Sequence, residues 1–232
     1  MSTTDQRICL WLVPAFAAFL LVAFLMFPGF LPPMSPNMTA EAVAGFYRDH
    51  VGAIRASMVI VNVCGIGFIP FFMVIVVQMQ RMGSHAFAYS YLSAAASGAT
   101  LLALADLAWL IAAFRPERDP QLTQLLNDFG WIAFVTPVGF VIAQNLCLAL
   151  AILTDPRRTA VFPRWVAHFN IVAALLMSPG ALAMMFTDGP FAWDGLLAFW
   201  VRIGAYCLYL AVMFFVVRTA VEQQAGEEAG VA

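Results

Sequence analysis

Six apolar runs decide what this chain can fold into. Each is long enough to cross the ~30 Å hydrocarbon core of a bilayer as a helix, which takes about 20 residues. They fall at roughly 8–30, 52–79, 86–114, 129–153, 166–186 and 195–217. Backbone polar groups inside a bilayer must be satisfied within their own segment, so such runs read as helices. The sequence therefore predicts an all-α membrane protein, a bundle of six transmembrane helices. Residues 1–218 form a single polytopic domain and 219–232 a short polar cytoplasmic tail. The second and third runs are long enough to tilt. The first exceeds the ~7–15 residue apolar core of a signal peptide and passes without a cleavage motif into Phe27-Pro28-Gly29-Phe30, so it reads as a retained span.

Composition agrees. The chain is 63% hydrophobic and 10% charged, against about half and about a quarter in a soluble domain. Net charge is −2 with no basic run, which leaves nothing to attract a nucleic acid; the lipid bilayer is the expected partner. All 11 basic residues are Arg, and without Lys there is no Schiff-base chemistry. Cys9, Cys64, Cys147 and Cys207 lie in apolar runs without metal spacing and read as buried thiols.

Arg placement orients the chain. With the N-terminus inside, the inner side carries Arg7, Arg81, Arg157, Arg158, Arg164 and Arg218; the outer side carries Arg48, Arg55, Arg115 and Arg118. Both termini are then cytoplasmic, in the inner membrane of a bacterium. Trp11 and Trp165 fall near the inner boundary, Trp131 and Trp193 near the outer. In the first outer loop Thr39 can cap a short amphipathic helix, with Glu41 in its first turn and Arg48 in its last. Asp119-Pro120 opens another short helix, through Asn127.

Only two charges lie deep inside a span, Asp106 in the third and Arg202 in the sixth. Each costs about 2.5–3.5 kcal/mol near a helix centre on insertion scales. At ~1.5 Å per residue both lie ~10–12 Å below the outer boundary, so the sequence predicts that they pair. The pair either fixes the docking of two spans, helped by the small residues Ser93, Ala94, Ser97 and Gly98, or forms a site. Trp109 and Tyr206 share helix faces with the two charges, Asn62 lies at their level, and Trp200 is a further wall. Gln144, Asn145, His168 and Asn170 lie toward the inner side and extend the polar set into one path.

His85 and His168, at similar depth, are the only arrangement that could ligate haem; no cofactor and no metal are expected, for want of a ligand spacing. Pro14, Pro70, Pro137 and Pro179 interrupt spans one, two, four and five, leaving three and six without proline. The order broken, broken, intact, repeated twice, is compatible with an inverted repeat of transporter type.

The function expected from these features is binding or transport of a small apolar or amphipathic molecule, in a pocket near Asp106 and Arg202. The alternative is a structural or accessory subunit of a larger membrane complex. A weaker alternative is a lipid-modifying enzyme, its chemistry on Asp106, His168 or His50.

Overall fold

The computed structural model describes residues 1–157 and 160–231; Arg158, assigned above to the inner side, lies outside them. Those residues form helices and no strand. Six helical segments are long and apolar enough to cross a membrane: Thr3–Met26, Val51–Arg81, His85–Phe114, Pro120–Leu153, Arg164–Met185 and Leu196–Gly230. The chain is an integral membrane protein.

Span 1 is one helix, α1 (Thr3–Met26), which stays helical through Pro14. Span 2 is two helices, α3 (Val51–Cys64) and α4 (Ile69–Arg81), separated by a turn at Gly65–Phe68. Pro70 explains the break: it lacks an N–H and its ring clashes with the carbonyl four residues earlier. An added Cβ at Gly67 would sit on the Phe16 ring, so the glycine lets span 1 close against the turn. Span 3 is α5 (His85–Phe114), without interruption. Span 4 is α6 (Pro120–Val135) and α7 (Gly139–Leu153), broken around Pro137. Span 5 is α8 (Arg164–Met177), which tightens at Pro179 into a 3₁₀ segment, Ser178–Met185. Span 6 opens with a π-helical turn, Leu196–Val201, and continues as α9 (Arg202–Val231). The two halves thus do not share one pattern of interruptions: span 1 stays helical past Pro14, forgoing only the bond that residue would have made to Leu10 O, and span 6 is irregular where it should be intact.

Each span packs on its sequence neighbours, and span 6 returns to span 1. The six form a closed ring in chain order, with spans 3 and 6 on opposite sides. The break in span 2 lets α4 lean inward, where it also meets α7 and α9. Phe71, Val74, Ile75, Val76 and Met79 are fully buried there and fill the half of the ring nearer the termini.

That end is locked by a polar cluster. Gln78 Nε2 donates to Gln6 Oε1 (2.7 Å) and Gln224 Oε1 (3.0 Å), and Gln6 Nε2 donates to Gln224 Oε1 (3.1 Å). Arg81 donates to Gln78 Oε1 at 2.6 Å and pairs with Glu227 at 2.6 Å. Spans 1, 2 and 6 are thereby tied together, with both chain ends on the same side. The polar tail is helical through Val231 and buries Ala220 and Val221.

The opposite end is capped by loops. Thr39 accepts from Ala42 N to open α2 (Ala40–Asp49), and Val43, Ala44 and Tyr47 are buried. The apolar face of α2 packs on α6, where Tyr47 donates to Asn127 Oδ1 at 3.1 Å. Burial, reinforced by the Asp128 carboxylate, pushes the Tyr47 phenol well up and keeps it a donor. Asp119 caps α6 as expected, accepting from Gln121 N. That helix does not stop near Asn127 but runs into the span, because no breaker occurs before Pro137. Trp193 Nε1 donates to Met34 O at 2.7 Å, and Asn37 to Thr187 O at 2.9 Å. At this same end Arg55 donates to the carbonyls of Ala113 and Phe114, closing the end of α5.

Candidate functional site

Three helix interruptions converge on Arg202. Pro137 has no N–H to offer the ladder, and Val138 N bonds Thr136 O instead of the Phe134 carbonyl that a continuous helix would use. Arg202 takes over that carbonyl: one terminal nitrogen donates to Phe134 O at 2.8 Å, and the guanidinium carbon lies 5.3 Å from the Phe134 ring centroid. Gly180, in the 3₁₀ part of span 5, closes the arrangement. A Cβ there would stand 2.7 Å from Val135 O and 3.0 Å from Arg202 Cδ. Only glycine lets spans 4, 5 and 6 approach this closely.

Arg202 faces a cavity of about 270 Å³ inside the ring, walled by residues from all six spans. The walls are almost wholly apolar: Leu20 and Phe24 from span 1, Phe68 and Phe72 from span 2, Ala95, Gly98 and Leu102 from span 3, Phe134 and Phe140 from span 4, Met177 from span 5, Ile203 and Leu210 from span 6. Phe30 and Leu31 of the cap line it as well. The lining side chains that carry a nitrogen or oxygen are Arg202, Gln144 and Tyr206. Gln144 is 2% exposed, and its amide nitrogen has no hydrogen-bond partner among the described residues. No lining residue is acidic, and Arg202 forms no ion pair among the described residues. Tyr91 and Tyr209 share a 2.8 Å hydrogen bond across the ring, and Phe72 packs on Tyr91, on the side toward the termini.

The expected Asp106–Arg202 pair is therefore not formed. Asp106 is fully buried, but its Oδ2 accepts from Asn62 Nδ2 at 2.8 Å and its Oδ1 has no partner among the described residues. Asn62 is exposed on the outward face of span 2. Depth alone suggested the pair; the ring sets spans 3 and 6 opposite one another and turns Asp106 toward span 2. Trp109 leaves the site too. It is buried in an aromatic cluster, 5.1 Å from Trp131 and 5.9 Å from Phe134 between centroids. Trp200 is 43% exposed and does not line the cavity.

The inner polar set does not form one path. Asn145 and Asn170 donate to carbonyls of their own helices, Val141 O and Val166 O, each at 2.8 Å. His168 is exposed, with Nδ1 on Arg164 O, and His85 is exposed at the start of α5. His50 bonds Phe46 O and packs tilted against the Phe46 ring, so the residues considered for lipid chemistry are each engaged on separate elements. The small residues of span 3 divide: Gly98 packs on Phe140, whereas Ser93, Ala96, Ser97 and Thr100 face outward.

Sequence reasoning missed two features. One is the Phe134 carbonyl, whose signal was Pro137. The other is the glutamine cluster; its signal was the Glu-, Gln- and Ala-rich stretch after Arg218, which favours continued helix.

The fold and site define a class: a six-span helical membrane protein with a closed ring and a cationic internal cavity. No protein-family model, curated protein or solved structure matches the chain.

Proposed function

We propose that this protein binds a small apolar or amphipathic molecule in its intramembrane cavity, for storage, sensing or passage across the bilayer. One observation carries the reading: an apolar cavity inside a six-helix ring holds a guanidinium with no carboxylate beside it among the described residues. A charge is expensive inside a bilayer and in that setting marks a functional site. Gln144 lines the same cavity and adds a second polar group to orient a ligand. The Arg bias supports the terminal end facing the cytoplasm of a bacterial inner membrane, with the α2 cap outside.

The test is chemical extraction. Protein purified from its membrane should release one small amphiphile in near-stoichiometric amount, identified by mass spectrometry. Ala99→Phe, which fills the cavity, should abolish the release while leaving thermal unfolding unchanged; equal release from both proteins would refute the reading. A second reading, a subunit of a larger complex, is favoured by the outward row of Ser93, Ala96, Ser97 and Thr100, which suits close helix docking. It predicts one stoichiometric co-purifying membrane protein that is lost in Ser97→Leu.

A further inference from the structure

We infer that the cavity takes a single-chain amphiphile carrying one carboxylate, its head on Arg202 and Gln144 and its chain along the apolar walls. The inference rests on the binding reading above and specifies its ligand.

Charge sets the head group. Among the described residues one cationic side chain and no anionic one line the cavity, so the complementary ligand is a monoanion. A phosphate monoester near neutral pH carries about two charges and would leave one uncompensated in an apolar enclosure, which is costly. Geometry supports carboxylate. A guanidinium has five N–H donors in a planar fork that matches two carboxylate oxygens. Arg202 uses one nitrogen on Phe134 O, which orients the fork without exhausting it. Gln144 lines the same cavity, and its buried amide nitrogen, which lies toward the Tyr91 hydroxyl, makes no hydrogen bond within bonding distance among the described residues.

Volume sets the tail. About 270 Å³ is just below the ~300–1,000 Å³ typical of small-ligand sites. It suits one alkyl or prenyl chain and not the two chains of a phospholipid. Access lies between spans 1 and 6, whose contacts are clearest nearer the termini, at Trp11 and Phe214. Farther along, Leu21 and Cys207 both line the cavity and are exposed on the outer surface, so a chain can slide in from the bilayer.

The full chain in lipid nanodiscs is irradiated with a dodecanoic acid bearing a mid-chain diazirine, and the labelled peptides are read by mass spectrometry. Label is expected on cavity residues of spans 1 and 3, displaced by dodecanoate but not by dodecanol or dodecyltrimethylammonium. Arg202→Gln should lower affinity about 10- to 100-fold, the range for losing charge-assisted hydrogen bonds. Arg202→Lys should retain part of it, and Gln144→Leu should weaken binding severalfold. These two variants keep the test decisive if Arg202→Gln folds poorly. Equal displacement by all three competitors, with no effect of Arg202→Lys or Gln144→Leu, overturns the carboxylate assignment and leaves the binding reading standing. Displacement by a lysophosphatidylglycerol at lower concentration than dodecanoate overturns carboxylate in favour of a phosphodiester head. Absence of label from every cavity residue overturns both.

Discussion

Arg202→Met separates a docking role from a ligand role. The substitution removes the hydrogen bond to Phe134 O, worth about 1.5–3 kcal/mol when the donor is charged. It also removes the contact over the Phe134 ring at 5.3 Å, worth about 0.5–2 kcal/mol. Against these stands relief from holding a guanidinium in an apolar interior, about 2.5–3.5 kcal/mol on insertion scales. Met keeps most of the stem that packs on Gly180. The net change should lie between a gain of about 1.5 and a loss of about 2.5 kcal/mol, because no carboxylate among the described residues is left unpaired when the guanidinium goes.

The sharper quantity is coupling to Asp106. Asp106 bonds Asn62, across the ring from Arg202. Separated sites with no shared partner add within about 0.3–0.5 kcal/mol. Unfolding of the wild type, Arg202→Met, Asp106→Asn and the double variant, by denaturant titration in detergent micelles, measures this directly. Additive effects are expected, together with loss of chain-amphiphile binding in Arg202→Met. A coupling above about 1 kcal/mol, with the double variant more stable than either single one, would refute the separation of the two charges.

Three further outcomes follow from the same geometry. Gln78→Leu strips the polar cluster of two donated bonds and the bond it accepts from Arg81; with intramembrane hydrogen bonds averaging about 0.6 kcal/mol and the arginine partner adding more, it should cost about 2–4 kcal/mol in the same titration. Arg55→Gln removes the side chain that closes the end of α5 on Ala113 O and Phe114 O and should destabilise by about 1–3 kcal/mol, while leaving chain-probe labelling intact. Gly180→Val should lower both stability, by about 1–3 kcal/mol through overpacking, and ligand affinity, because its side chain meets Val135 O and displaces the Arg202 stem; affinity unchanged in a folded Gly180→Val protein would refute the placement of Arg202 at the site.

The number of spans was legible because the length of each apolar run fixes it. The cap residues Thr39 and Asp119 were legible for a similar reason: capping is local, and the side chain that accepts lies within three residues of the N–H it serves. Azimuth was not legible. Asp106 and Arg202 do belong to the same half of the bundle: Trp109, one turn from Asp106, has its ring 5.9 Å from that of Phe134, the partner of Arg202. Which way each side chain turns depends on the order of helices around the ring, and no periodicity within one span encodes that order. Proline was an incomplete guide for the same reason. Pro14 sits on an exposed face of a helix that continues through it, while span 6 departs from α geometry with no proline at all.

Interruptions and charge are linked at the cavity. A break in a membrane helix frees carbonyls that must find donors, since lipid supplies none. The Pro137 break frees Phe134 O, the π-helical turn sets Arg202 one residue beyond its end, and Gly180 lets the two come within bonding distance. A single carbonyl could be served by a neutral donor: Trp193 does this for Met34 O, and Ser57 for Ala23 O at 2.6 Å. A guanidinium at this position brings four further N–H donors and a full charge at higher cost. The bond to Phe134 explains the orientation of Arg202 but not its charge. On the binding reading the surplus has a use: the freed backbone holds the fork in place, and Arg202 faces the cavity inside the ring.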